Sequence, residues 1–416
     1  MLKFWNNNHI IKLGGDFVIS KFSFQNFKSY KNETVFDFQA SAIPEFEESL
    51  IKRDKASPLL PVSVIYGPNG GGKSALLMAL GNLISIVVDP IKQLQKNKIS
   101  VFQQSVFTQP YLFDENSKND PTIFDLFFRT ESNEFRYYLS IHENTIIDEC
   151  LYRRTLGGKR TATIFERDRE TIELGASLRS KSINTEINPK MPFLSFLAIN
   201  YNIPVISEAQ SWFESCILIN YANLLSESQI YLPTEKNQKQ KFIMLLNDMG
   251  IDISDFRLDN ATNNLFVSRN INKTKYEMDF VDESDGTQKL FSVLPYILFA
   301  LQEGRLLIID ELDAKLHPKL LRYIISLFKN PEINKHGAQI VFTSHDLTTM
   351  NHSVFRRDEI WFAALNSSRE SEIYSLYDIR NEDGTHINNT ASFSKQYLEG
   401  RYGADPYLQN ILNWEV

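Results

Sequence analysis

Residues 67–74, G-P-N-G-G-G-K-S, constrain the chain more than any other stretch. They have the form G-x-x-x-x-G-K-S. The run before them, "PVSVIY", is apolar and β-branched like a buried strand, and the run after them, "ALLMALGNLI", has helical spacing. Strand, glycine loop and helix in that order aim backbone N–H groups and a helix N-terminus at one point, which suits an anion. In such a loop Gly67, Asn69, Gly70, Gly71 and Gly72 bring backbone close to phosphate. Lys73 reaches the β- and γ-phosphates, and the Ser74 hydroxyl ligates Mg²⁺. The alternative is a glycine-rich turn that only joins two elements, and the correct context on both sides argues against it.

A second stretch complements the first. In "GRLLIIDELDAKLHP" an apolar run ends on Asp310 and Glu311, which reads as a buried parallel strand running into two acids. In a phosphate-loop fold the strand beside the glycine loop places its first carboxylate at the metal and its second where it can orient or deprotonate a water. Asp310 is thereby assigned to Mg²⁺ and Glu311 to the base. A further strand, "AQIVFTSHD", ends at His345 about one helix-plus-strand unit later. Strand C-termini are where such sheets bind ligands, so His345 is a candidate sensor of the γ-phosphate.

Composition narrows the class. The 416 residues are long for one compact domain and suggest two or three. A net charge of −7 does not describe a surface built throughout for nucleic acid, although a local basic patch stays open. Cys150 and Cys216, the only cysteines, form neither a disulfide framework nor a zinc site, and a reducing cytoplasm fits best. The longest apolar run, from Leu290, is interrupted by Ser292 and Pro295 and falls short of the ~18 residues that span a bilayer, so no membrane segment is expected. The first 17 residues lack the pattern of a signal peptide and read as an addition to the fold, with a natural start expected at Val18.

Along the chain, residues 19–165 read as the N-terminal part of the nucleotide-binding head, a β-rich lobe around the glycine loop. Residues 166–279 read as a mostly helical insertion, because "MPFLSFLAINY", "AQSWFESCILINYANLL" and "KQKFIMLLNDMG" show helical spacing. Residues 280–416 complete the head. The Lys- and Arg-rich stretch 153–169 is expected to be a solvated hairpin, with a phosphate-binding edge as the alternative. Trp212 and Phe213 are expected in the core, with anchors for a partner as the alternative.

"GPNGGGKS", "ESDGTQKLF", "DELDAKLHP" and "TSHD", in this order, resemble the ABC-type ATPases of the Rad50, SMC and RecF group. "ESDGTQ" is similar to their signature motif in its RecF-like form, with Ser284 and Gly286 kept, Asp285 in place of the first Gly and Thr287 in place of Gln. The resemblance implies a head-to-tail homodimer with composite ATP sites, in which Ser284 and Gly286 of one chain touch the γ-phosphate held by the other. The motif opens a helix, and a helix N-terminus attracts phosphate. For the Q-loop the candidate is Gln109, with Gln103 and Gln104 close by. "NFKSY", "QPYLFDENSKNDPTIFDLFF", "PFLSFLA", the "DELDxxLHP" form and "YLEGRYGADPYL" look like the AAA15 or AAA21 ATPases of bacteria, RloA-like and PARIS-type ATPases of phage-defence loci among them. The expectation is therefore an α/β, P-loop ABC-type ATPase head that uses ATP and Mg²⁺ as a dimeric switch. It would control a separate effector, a nuclease or toxin, in trans, because the stretch after His345 is too short for the TOPRIM-type nuclease domain of the related OLD enzymes. A RecF-like DNA-repair ATPase that clamps DNA directly is the alternative.

Overall fold

Strands β1 (Val18–Gln25) and β2 (Thr34–Asp37) form an antiparallel pair whose Phe22, Phe24 and Phe36 are fully buried. The computed structural model describes residues 17–53, 55–90, 109–220, 232–233, 235–259, 264–381 and 383–404. Residues 1–16, Gln103 and Gln104 lie outside these, as does the end of the "YLEGRYGADPYL" stretch. Next come β3 (Val62–Tyr66), buried along its whole length, and helix α1 (Lys73–Val88). The short α2 (Glu115–Asn119) is capped by Asp114, whose side chain accepts from the Ser117 N–H. Strands β4 (Thr122–Arg129), β5 (Asn133–His142), β6 (Thr145–Thr155), β7 (Thr161–Asp168) and β8 (Thr171–Leu174) then complete an antiparallel sheet in the order β2-β1-β4-β5-β6-β7-β8. This is the expected β-rich lobe, and β6 and β7 form the expected hairpin within 153–169.

Helices α3 (Phe193–Asn200) and α4 (Pro204–Ser215) pack with α1 against this sheet in one apolar cluster. Pro192, at the N-cap of α3, makes no side-chain cap. The fully buried Glu149 on β6 supplies it, accepting from the N–H groups of Phe193 (2.6 Å) and Leu194 (2.9 Å) and from the Tyr137 hydroxyl (2.9 Å). Trp212 and Phe213 are both fully buried against the Phe128 ring, so the core reading holds and neither is a surface anchor.

The helical expectation for "AQSWFESCILINYANLL" holds for its first part only, and residues 221–225 of it lie outside the described ones. The helix stops at Ser215, and Ile217–Asn220 is a strand, β9, parallel to the later β13 (Leu306–Asp310). A β-branched run that finds an edge of the central sheet prefers it to continued helix, a tertiary outcome that local spacing does not carry. Helix α5 (Lys236–Asp248) forms as expected, and it is followed by an unanticipated antiparallel sheet of β10 (Asp255–Asp259), β11 (Asn264–Ile271) and β12 (Thr274–Asp279). The stretch 166–279 thus mixes helices with strands and lends one strand to the central sheet.

Helix α6 (Asp285–Glu303), β13, α7 (Pro318–Lys329), β14 (Gln339–Thr343), β15 (Ile360–Leu365), β16 (Ser371–Ser375) and α8 (Phe393–Leu398) follow. The central sheet has the order β16-β15-β3-β14-β13-β9, all parallel except β16. Val64, Ile309 and Phe342 face a core shared with α5, α6 and α7, while Ile65, Ile308 and Val341 face the core shared with α1, α4 and the seven-stranded sheet. Strands covered on both faces read as continuous apolar runs, which is why they were visible in the sequence. The α/β class holds. One expectation is corrected: the acidic strand β13 is not beside the glycine-loop strand β3, because β14 lies between them. Among the described residues no helix is long and apolar enough to cross a membrane.

The lobe and the central sheet are stitched by one buried side chain. Gln339 at the start of β14 accepts from the Ile19 N–H (2.7 Å) and donates to the carbonyls of Ile19 (3.1 Å) and Leu60 (2.9 Å). Gln339→Leu leaves three backbone groups buried without these partners, each costing about 1–3 kcal/mol when unsatisfied. We expect a loss of about 3 kcal/mol, read as a lower urea midpoint. A midpoint within error of wild type contradicts this account.

Candidate functional site

The glycine loop leaves β3 at Gly67 and enters α1 at Lys73. Its glycines answer to a neighbour rather than to the loop alone. A Cβ on Gly67 would lie 2.0 Å from the Ala363 carbonyl oxygen of β15, and one on Gly71 would lie 2.5 Å from the same oxygen. A backbone oxygen in a sheet cannot turn aside, so the close packing of β15 under the loop requires glycine at both positions. Asn69 and Gly70 are exposed at the tip, and Ser74 is exposed on the first turn of α1.

Lys73 is buried, and its ammonium donates to the carbonyls of Gly67 (2.9 Å) and Pro68 (3.1 Å). Burial pushes its pKa below the usual lysine range, against the pull of Asp310, Glu311 and Asp313. Strand order and parallel register put the acidic turn after β13 at the same edge as the loop, with β14 between them. Asp310 Oδ1 accepts from the Thr343 hydroxyl at 2.6 Å, and the Glu311 N–H donates to the same hydroxyl at 2.7 Å. Glu311 takes φ +53, in the left-handed region. His345 follows the end of β14 with its side chain exposed, and its N–H donates to Asp313 Oδ2 at 2.9 Å. The structure therefore gathers residues 67–74, Asp310, Glu311 and His345 at the C-terminal ends of three adjacent strands.

The turn 26–30, within "NFKSY", braces this edge. The Tyr30 hydroxyl donates to the Gly72 carbonyl (3.2 Å), and Ser29 pairs with Ser371 of β16 through both its hydroxyl and its carbonyl, each at 2.8 Å. The Lys28 N–H donates to the Gln109 carbonyl (2.8 Å), and Asn26 holds Tyr111, Ser117 and Asp120. Gln109 itself is exposed, tethered by its backbone to the turn that braces the loop.

Ser284 is the N-cap of α6, its hydroxyl accepting from the Thr287 N–H at 3.2 Å. Asp285 pairs with Lys315 of the loop after β13, and Gly286 packs on the Lys315 carbonyl, 3.0 Å from a would-be Cβ. Ser284 is exposed, and the hydrogen bonds and ion pairs found for 283–287 among the described residues run to α6, Phe280, Arg269 and Lys315, none of them to residues 67–74. The residue types suit a hard divalent cation shared with phosphate oxygens, since the Ser74 hydroxyl and the Asp310 carboxylate are oxygen donors. Sequence reasoning missed Tyr30, Asp313, Thr343 and Ala363. Tyr30, Asp313 and Thr343 stand inside quoted motifs, but their partners are distant in sequence; Ala363 acts through a contact that no local pattern encodes.

The model of the AAA_21 family, described as "AAA domain, putative AbiEii toxin, Type IV TA system", matches residues 62–351, from β3 past His345. The chain belongs to this family. It carries an ATPase domain of the AAA/ABC type. No curated protein matches the chain. A solved structure of the recombination mediator protein RecF with ATPrS, in the RecFOR pathway, is similar at 14% identity, covering 86% of this chain and 98% of that one, with a TM-score of 0.32.

Gly71→Ala tests the contact with β15 without a positive φ to complicate it. Overpacking costs about 1–3 kcal/mol. We expect ATP affinity to fall about tenfold or more in equilibrium dialysis, with far-UV circular dichroism unchanged. Unaltered affinity would show that the loop can leave the Ala363 carbonyl freely.

Proposed function

We propose that this chain is an ATP-hydrolysing switch that works as a head-to-tail homodimer and controls a separate effector in bacterial defence against phage. The observation that supports it most is the meeting of glycine loop, acidic turn and His345 at one edge of a parallel sheet. Loop N–H groups and Lys73 would hold the phosphates, and Ser74 and Asp310 would hold Mg²⁺. The cation would neutralise phosphate charge. Glu311 would orient the attacking water, and His345 would read the γ-phosphate. Ser284 and Gly286 sit on an exposed helix N-terminus, free to meet the phosphates of a second copy, which is what a composite site needs. The family description names a putative toxin and a type IV TA system, a setting in which control of an effector would be at home.

The RecF-like reading, direct clamping of DNA, draws on one feature. Lys159 and Arg160 are exposed at the β6–β7 turn, and Gly157 of that turn lies against Lys55. Salt-sensitive binding of duplex DNA, lost in Lys159→Glu, would favour that reading.

Glu311→Gln should keep ATP affinity and lose turnover about 10²-fold or more, the scale of general-base catalysis, while trapping the dimer in native mass spectrometry. Lys73→Ala should instead weaken binding itself. Equal loss of affinity in both variants contradicts the roles.

The composite site has its own test. Mixing Lys73→Ala chains with Ser284→Arg chains should restore about one working site per heterodimer, although neither variant hydrolyses ATP alone. A mixture that forms heterodimers and stays inactive rules out the head-to-tail arrangement.

A further inference from the structure

We propose that Thr343 is a positioning residue for ATP hydrolysis, setting the metal carboxylate and the base through one hydroxyl group. The inference rests on the reading above and adds the residue that ties Asp310 to Glu311. Thr343 is the last residue of β14, the strand between glycine loop and acidic turn, and it is fully buried. Its hydroxyl carries a single proton. The Glu311 N–H can only donate, so it occupies a lone pair of Thr343 Oγ1, and the hydroxyl proton is directed to Asp310 Oδ1. The order Glu311 N–H, Thr343 O–H, Asp310 carboxylate is thereby fixed by chemistry alone.

Two consequences follow for the acids. Asp310 has one oxygen occupied at 2.6 Å, which selects the rotamer in which Oδ2 is the oxygen left for a cation. Glu311 is held with φ +53, a backbone conformation that a non-glycine residue seldom keeps without support. The hydroxyl supports it directly, and the Leu312 N–H adds a bond to the Thr343 carbonyl at 3.3 Å. One residue on, Asp313 accepts from the His345 N–H, so the turn after β13 is tied both to the end of β14 and to the turn that follows it. Displacement of a γ-phosphate sensor at His345 would reach Glu311 by this route.

The test compares full-length Thr343→Val, which keeps the shape and removes the hydroxyl, with Thr343→Ser, which keeps the hydroxyl. A misplacement of about 1 Å can cost about 10²-fold in rate. We expect Thr343→Val to lower kcat at least tenfold, with metal-free ATP affinity within about threefold of wild type. Mn²⁺ affinity of the complex with a non-hydrolysable ATP analogue, titrated by electron paramagnetic resonance, should weaken about fivefold or more, because Asp310 loses the bond that sets its rotamer. Thr343→Ser should restore both. If Thr343→Val does not fold, Thr343→Ala against Thr343→Ser isolates the same hydroxyl and carries the same expectation. Wild-type kcat and Mn²⁺ affinity without the hydroxyl, or a lowered melting temperature as the only change, overturns the proposal. If the wild-type protein binds ATP without hydrolysing it, the functional reading falls, and the Mn²⁺ comparison still decides the role of Thr343.

Discussion

The register of three parallel strands governs everything at the site. Thr343 pairs with Ile65 on β3, and Phe342 pairs with Ile309 on β13, so the three strands end within a residue or two of one another. The glycine loop, the acidic turn and the His345 turn leave the sheet from those ends. Side chains alternate between faces along a strand, so a slip of one residue would turn Thr343 away from Asp310 and bring apolar side chains into its place. Burial on both faces opposes such a slip, because every residue from Ile340 to Phe342 would exchange one packed core for the other. The polar groups of the candidate site are placed by the hydrophobic core rather than by one another.

A sheet alone would not hold the loop rigid. Three fasteners bring the seven-stranded lobe to bear on it, each formed by residues distant in sequence. Gln339 joins β14 to β1, Glu149 joins β6 to the start of α3, and the turn 26–30 joins the lobe to Gly72, Ser371 and Gln109. Asn26 and Lys28 both have positive φ, so that the chain doubles back within a few residues and Tyr30 arrives beneath the loop. Asn tolerates this conformation better than most residues. The lobe thus braces the nucleotide edge from one side, as β15 does from below through the Ala363 carbonyl.

What was legible in the sequence follows from which signals are local. The glycine loop, the apolar runs of β3, β13 and β14 and the helix opened by Ser284 are patterns of adjacent residues, and each forms the expected element. The strand nature of Ile217–Asn220 was not legible, because only the open edge of β13 makes that short run a strand. The β10–β12 sheet was missed for a similar reason: its strands alternate weakly, and β12 is exposed along most of its length. The position of β14 between β3 and β13 is a matter of strand order, on which spacing is silent. Thr343 looked like the polar end of a strand until its neighbour across the sheet was known.

The electrostatics of the edge set what it can accept. Asp310, Glu311 and Asp313 all pull on one partly desolvated ammonium, Lys73, so three carboxylates contribute to the field that a phosphate would meet there. A triphosphate alone would add like charge to that field, whereas a triphosphate carrying a divalent cation brings a partner for Asp310 with it. Lys73 also starts from two good hydrogen bonds, to the carbonyls of Gly67 and Pro68. Its third proton is left for a phosphate, so the two carbonyls hold the ammonium against the loop without using up its donors. Under the proposed function, nucleotide and metal are therefore expected to bind as one ligand, with the metal deciding whether the acidic turn repels or holds the phosphates.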